Sequence, residues 1–179
     1  MKYLLLAAAV GLALSAPAYA NTMSKDEYKA AKQNIESEYK SANTACGLLL
    51  KNPKDVCQAE AKGREKVAIA ELDAKNQPSR KARYEVRVAK ANAEYYVARQ
   101  RCDDQAGNAK DVCVKQAESA RIAAKADAKA QMEIADAKQD AASDKSGAEY
   151  AVAIEKCNAL AGDPKTACVA NAKARYGKS

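Results

Sequence analysis

Three cysteine pairs with one spacing constrain this chain more than any other feature. Ten residues separate the two cysteines of each pair, and successive pairs begin 56 and then 55 residues further along. The pairs are Cys46 and Cys57, Cys102 and Cys113, and Cys157 and Cys168. An even number of cysteines at repeated positions is typical of a disulfide framework. The recurring period indicates three copies of one structural unit.

A turn-forming segment lies between the cysteines of each pair. The three segments read KNPKD at 51–55, GNAKD at 107–111 and GDPKT at 162–166. Their first residue is glycine in two copies, which is typical of the left-handed residue just past a helix end. Their second residue is Asn or Asp, and both are favoured N-caps of a following helix. Lys51 replaces the glycine in the first copy, so we expect that turn to have a different shape.

Apolar residues recur at three- and four-residue intervals on both sides of the turns. Before Cys46 the stripe consists of Tyr28, Ala31, Ile35, Tyr39 and Ala42. The same spacing occurs before Cys102, and after Cys113 it is formed mostly by alanine. This period predicts helices with one apolar face each. Small residues let two helices approach closely enough for a disulfide, which needs Cα atoms within about 7 Å.

The predicted fold is therefore all-α, with three tandem antiparallel helical hairpins that are each closed by one disulfide. We predict helices at 24–50, 53–75, 79–106, 109–142, 147–161 and 164–176, and hairpins at 21–77, 78–140 and 141–179. Pro78 marks a break, because proline and the residue before it resist helix. The segment 143–147 is a weaker break, and one helix running through it is the alternative. An elongated array and a small bundle are both open, and the small alanine surfaces favour the array.

Residues 1–20 have the pattern of a secretory signal peptide. Lys2 provides the positive start, an apolar run follows to Leu14, and Ala18-Tyr19-Ala20 is a small-x-small cleavage pattern. The run is shorter than the roughly twenty apolar residues of a membrane span. We predict cleavage after Ala20, a periplasmic or secreted location and no transmembrane span in the processed chain. An uncleaved N-terminal anchor is the alternative.

The composition excludes several chemistries. The chain contains no His, Phe or Trp. Nucleophilic pairs that use histidine are therefore excluded, and no glycine-rich phosphate loop of the GxxxxGK type occurs. Cysteines with ten residues between them, and no histidine, do not match the short spacings of structural zinc sites. We predict a non-enzymatic protein with no catalytic residue, no cofactor and no metal site.

One basic stretch is a candidate anion-binding site. It comprises Arg80, Lys81, Arg83, Arg87 and Lys90. Without Lys2 the chain keeps 29 basic and 23 acidic residues, a formal net charge of +6. Such a stretch attracts anionic polymers or phospholipid surfaces. We favour the simpler interpretation of a solvated helix face, and nucleic acid is not the expected partner.

The signal sequence, the segment YKAAK at 28–32 and the frame CxxxxGNxKDVC at 102–113 together resemble a group of proteobacterial periplasmic proteins often labelled TolA-like. These proteins are Ala/Lys-rich and helical, and the resemblance implies a helical spacer in the cell envelope. The stapled hairpins also resemble the twin-cysteine hairpins of the mitochondrial intermembrane space, which carry two disulfides per hairpin instead of one.

Three functions are consistent with the sequence. The first is a non-enzymatic structural or interaction protein of the envelope, a helical spacer or scaffold whose partner is an unidentified envelope protein or polymer. The second is a basic binding module for an anionic polymer or membrane surface. The third is a metal or redox buffer that uses the six cysteines as thiols. Self-association is compatible with all three.

Overall fold

The computed structural model describes residues 23–178, so the predicted signal peptide at 1–20 lies outside the described residues. Over this range the chain forms five α-helices and one short 3₁₀ helix, without any strand. The helices are α1 (Lys25–Cys46), α2 (Lys51–Asn76), α3 (Arg80–Arg101), the 3₁₀ helix (Cys102–Asp104), α4 (Gly107–Asn158) and α5 (Gly162–Tyr176). The all-α prediction is confirmed. No helix within residues 23–178 is both long and apolar enough to cross a membrane.

Helix packing follows the order of the chain. α1 packs on α2, α2 on α3, α3 on α4, and α4 on α5. Within residues 23–178, no two helices that are distant in sequence form a substantial interface. The helices therefore form an open series instead of a closed bundle, as the small alanine faces favoured.

All three predicted disulfides are present. The Cα atoms lie 5.5 Å apart for Cys46–Cys57, 5.7 Å for Cys102–Cys113 and 5.6 Å for Cys157–Cys168. The first cysteine of each pair is fully buried. One turn beyond the second cysteine, each copy buries an alanine, and these are Ala61, Ala117 and Ala172. Each hairpin thus has the same small buried centre, which consists of a disulfide and an alanine.

A tyrosine faces a basic side chain in each hairpin, although the basic residue stands at a different position each time. A tyrosine stands seven residues before the first cysteine of every pair. Its ring faces the amine or guanidinium of a basic side chain from the opposite side of the hairpin. The distances to the ring centroid are 4.5 Å for Lys62 and Tyr39, 4.3 Å for Arg121 and Tyr95, and 6.0 Å for Lys178 and Tyr150. Cation–π contacts thereby extend each seam two turns beyond its disulfide.

The expectation of a different first turn is wrong. Lys51 has φ 53°, next to 57° for Gly107 and 64° for Gly162. The lysine thus adopts the left-handed conformation that glycine adopts in the other copies. The disulfide loop has the same length in all three hairpins, and the chain must reverse at the same place.

The predicted N-caps are also wrong. The N-cap positions of α2, α4 and α5 are Leu50, Ala106 and Ala161, and none of these caps has a side-chain hydrogen bond. Each helix already begins at the left-handed residue, so the following Asn or Asp lies inside the first turn. The side-chain amide of Asn52 is buried there without a hydrogen-bond partner. By contrast, Ser24 does form a reciprocal capping box at the start of α1.

Several predicted helix ends were placed too far along the chain. α1 ends at Cys46 instead of residue 50, and α3 ends at Arg101 instead of 106. The chain has to reverse between the cysteine and the next helix, which takes the intervening residues out of the α-helix. Sequence periodicity does not reveal where the chain must reverse, because residues such as Leu49 continue the apolar spacing.

The predicted break at 143–147 does not exist. α4 is one helix of 52 residues that passes through this segment. The proposed boundary between 140 and 141 therefore falls inside a helix, and the second and third hairpins share α4. The segment lacks proline, and a single interior glycine is tolerated in a helix at a cost of about 1 kcal/mol.

The middle of α4 is packed against nothing else in the described chain. α3 covers its first part, as far as the contacts of Arg80 with Asp136 and Gln139, and α5 covers its last part. Residues 140–145 between these parts are all exposed. The third hairpin is consequently connected to the rest of the described chain by a single solvated helix.

Candidate functional site

A long groove runs along α2 between α1 and α3. It forms because α1 and α3 both pack on α2 and leave a space between them. Its volume is about 1110 Å³, and residues of all three helices line it. Two further pockets, between α2 and α3 and between α4 and α5, have volumes of about 560 and 620 Å³, so the groove is the principal candidate site.

The floor of the groove is apolar and one wall carries an exposed aromatic side chain. Ile69 of α2 and Val88 of α3 contribute the larger aliphatic groups, together with several alanines. Tyr96 lines the α3 wall and is 53% exposed, whereas Tyr39 on the α1 wall is half-buried. An exposed tyrosine above an aliphatic floor offers apolar area and a hydroxyl group to an incoming segment.

The charges of the groove are balanced. Its basic residues are Lys62, Lys66 and Arg99, and its acidic residues are Asp55, Asp73 and Glu85. A site for an anionic polymer would carry one predominant sign of charge. The arrangement instead matches a segment that has one apolar side and charges of both signs, as an amphipathic helix does.

Hydrogen bonds hold two of these charges in place. The Lys62 amine donates to Glu65 at 2.6 Å, and this bond raises the pKa of Lys62. The Tyr28 hydroxyl donates to the Asp73 carboxylate at 2.6 Å, which raises the pKa of Tyr28. The first bond lies within α2, and the second joins α1 to α2. One bond along a helix and one between helices therefore fix a cation and an anion in the groove.

The predicted basic residues are separated into two groups by the fold. Arg80, Arg83 and Arg87 lie on one side of α3 and line a small pocket of about 180 Å³ against α4. Of these, Arg80 is paired with Asp136 and also donates to Gln139 at 3.0 Å. Lys81 is exposed, and Lys90 is paired with Glu71 at 2.7 Å across α2 and α3.

The pocket between α3 and α4 thus brings together only three of the five basic residues of the predicted anion site. Arg83 and Arg87 form no ion pair within residues 23–178, so their charges are accessible there. The half-buried Tyr84 also lines this pocket. Two accessible guanidinium groups can hold one phosphate or carboxylate group. The third guanidinium of this pocket, that of Arg80, is already paired with Asp136.

The six cysteines are all in disulfides, which leaves no free thiol. Among the described residues, no group of three or more His, Cys, Asp or Glu side chains has the arrangement of a metal site. In this oxidised form the cysteines act as cross-links between helices. Three disulfides suit an oxidising compartment.

The groove was missed by the sequence analysis. Its walls lie on α1 and α3, which form no substantial interface with each other, and Tyr96 falls outside the apolar stripe that contains Tyr95. An aromatic residue next to, but not on, the predicted seam is the one signal that could have indicated it. No protein family, curated protein or solved structure matches this chain, and the resemblance to TolA-like proteins stays a prediction.

Proposed function

We propose that this protein is an exported, non-enzymatic scaffold of the cell envelope that binds an amphipathic helix of another protein in the groove between α1 and α3. The observation that carries this proposal is the groove itself, with its aliphatic floor, its exposed Tyr96 and its balanced charges. Helix-in-groove recognition uses apolar anchors on one side of the bound helix and charges at its margins.

The open series of helices supports the scaffold role. A closed bundle would use both faces of its central helices for its own core. Here α2 is covered by α1 and α3 only along its flanks, and Ile69 still lines an open surface. The disulfides supply cross-links where the alanine faces provide little apolar burial, so the helices can keep an open face without losing their positions.

Export to the periplasm is part of the proposal. Its support is the signal-like sequence of residues 1–20 and the three disulfides, which persist in oxidising compartments. Intact mass of the exported protein with and without reduction and alkylation tests this step. A chain that begins at Asn21, with six alkylated cysteines only after reduction, is the expected result. Retention of residues 1–20 would contradict cleavage.

Site-specific photo-cross-linking tests the groove. A benzophenone amino acid replaces Tyr96 in the groove or, as the matched control, Val152, which is also exposed but lies on α4. We expect a discrete cross-linked protein only from position 96, with the link mapped to an amphipathic helical segment. The variant Tyr96→Ala should weaken binding of that segment, made as a peptide, by about tenfold. Equal cross-linking from both positions would contradict a groove-specific partner.

A second candidate function is binding of an anionic polymer at the pocket between α3 and α4. The favouring observation is the pair Arg83 and Arg87, which lack ion-pair partners within residues 23–178 and line one pocket. Binding of polyphosphate should weaken steeply as salt rises. The variant Arg83→Gln/Arg87→Gln should remove it, whereas Lys129→Gln, elsewhere on α4, should not.

A further inference from the structure

We propose that the connection between α1 and α2 is a membrane-insertion tip, whose leucines enter the interface of an anionic phospholipid membrane and whose lysine contacts the headgroups. The tip consists of residues 47–50 with Lys51. It lies at the end of the first hairpin, and this inference does not depend on the groove.

The tip has the most exposed large apolar side chains of the described chain. Leu48 is 87% exposed and Leu50 is 79% exposed, with Leu49 between them at 41%. No described part of the chain covers them. Three adjacent leucines at the end of a rigid hairpin expose a large apolar surface to water. Removing apolar surface from water is favourable by roughly 25 cal/mol per Å².

Insertion of this segment would leave few backbone donors unsatisfied. The amide of Gly47 donates to Thr44, that of Leu48 to Ala45 and that of Leu49 to Cys46, at 3.0–3.1 Å. Unpaired N–H groups are what normally keeps irregular backbone out of a lipid environment. At the tip, these donors are already paired by the tight turn that follows α1.

Lys51 supplies a second, independent observation. It is exposed and has a left-handed φ of 53°, where both equivalent positions are glycine. A lysine in this conformation costs about 1–2 kcal/mol relative to a right-handed one. Backbone strain of this kind is retained mainly at functional positions. A positive charge directly beside the three leucines would provide that function, because anionic headgroups attract lysine at the membrane surface.

The other two turns show that the fold itself does not require this composition. The residues that correspond to Leu48, Leu49 and Leu50 are Asp104, Gln105 and Ala106 in the second hairpin. In the third hairpin they are Ala159, Leu160 and Ala161. All three turns have the same disulfide and the same left-handed residue. The fold therefore does not require the three leucines and Lys51, and they indicate a role that is specific to the first turn.

Vesicle flotation with the full chain, purified after export, tests the proposal. The vesicles contain phosphatidylcholine alone or with about one third phosphatidylglycerol. We expect binding to the anionic vesicles, reduced about tenfold or more in Leu48→Ser/Leu50→Ser. Lys51→Gly should reduce it about fivefold, although the same change relieves backbone strain. Disulfide mapping and circular dichroism establish that each variant is folded.

Two matched controls distinguish the tip from other surfaces. Leu160→Ser changes the exposed leucine of the third turn, and Arg83→Gln/Arg87→Gln removes two charges at the pocket between α3 and α4. Both should bind the vesicles within about twofold of the unchanged protein. Three results would overturn the proposal. They are normal binding by the leucine variant, an equal loss in the arginine variant, and conversion of a dimer to a monomer by the leucine substitutions in sedimentation velocity without vesicles.

Discussion

Gly63 of α2 lies directly against Ala93 of α3. A Cβ atom added at position 63 would lie 2.9 Å from the Cβ of Ala93, closer than two carbon atoms approach without displacement. Both residues also line the groove. The α2–α3 interface, on which the groove depends, thus requires that this one position have no side chain.

We expect Gly63→Ala to destabilise the protein, although alanine is the better helix former. The gain in helix propensity is about 1 kcal/mol, and overpacking at a tight crossing costs about 1–3 kcal/mol. The free energy of unfolding should fall by about 1 kcal/mol in a denaturant titration. Gly147→Ala is the matched control, since nothing lies within 4 Å of its added Cβ, and it should gain about 1 kcal/mol. Stabilisation by both changes would contradict the close approach.

Lys51→Gly should stabilise the fold by about 1 kcal/mol, because glycine adopts a positive φ without a steric penalty. Thermal or chemical unfolding with the disulfides intact measures this. The reciprocal change Gly107→Lys introduces the same strain into the second turn and should destabilise by a similar amount. An unchanged or lower stability of the glycine variant would mean that Lys51 is not left-handed in solution.

Loss of a disulfide should be most damaging in the third hairpin. A cross-link that closes a loop of this length contributes about 3 kcal/mol in the chain-entropy description. α5 has only 15 residues and packs on nothing but α4 among the described helices. In Cys157→Ser/Cys168→Ser we therefore expect the α5 amides to lose hydrogen-exchange protection while α1–α3 keep theirs.

The second hairpin provides the control for this experiment. Cys102→Ser/Cys113→Ser leaves α3 packed along α4 as far as the Arg80–Asp136 pair. Protection should persist over most of α3 in that variant. Equal loss of protection in both variants would show that all the hairpins depend on their disulfides to the same degree.

The hydrogen bond from Tyr28 to Asp73 should make stability sensitive to alkaline pH. This bond raises the pKa of Tyr28 in the folded state. Because the folded-state pKa is raised, the stabilisation that this hydrogen bond provides is fully present below the unfolded-state pKa of about 10. It is lost as the pH rises through the folded-state pKa of Tyr28. Tyr28→Phe should therefore be less stable than the unchanged protein at neutral pH, and the difference should vanish at high pH. The Tyr96 hydroxyl does not form this bond, so the effect of Tyr96→Phe on stability should not depend on pH in this way.

Proline in the middle of α4 should change the shape of the molecule without unfolding its hairpins. Residues 140–145, beyond the contact of Arg80 with Gln139, are exposed and packed against no described helix. Ser143→Pro should kink α4 there, because proline removes a backbone hydrogen bond and clashes with the preceding turn. Small-angle scattering should report altered dimensions with unchanged disulfide links. Ala128→Pro, at a buried position of the α3–α4 interface, should instead unfold that interface.

The sequence predicted the hairpins because their determinants are local. The distance between Cys102 and Cys113 along the chain, the turn between them and the alanine spacing beside them all lie within one hairpin. Burial of Ala61, Ala117 and Ala172 follows from the same register. Where prediction failed, the competing effect was also local but sterically subtle. The disulfide loop fixed the conformation of Lys51 in spite of its side chain, and it ended α1 before the apolar leucines.

What the sequence by itself determined is the hairpin, with its two helices, its turn and its one covalent link, because each of these depends on residues close together in the chain. The tertiary structure alone decided how the units are arranged. The continuity of α4, the close approach of Gly63 to Ala93 and the groove with Tyr96 depend on which faces of separate helices meet. Alanine faces are too similar for sequence periodicity to specify that choice. The size and charge of the side chains at a few contacts decide which faces meet. Examples are the contacts of Arg80 with Asp136 and of Tyr28 with Asp73.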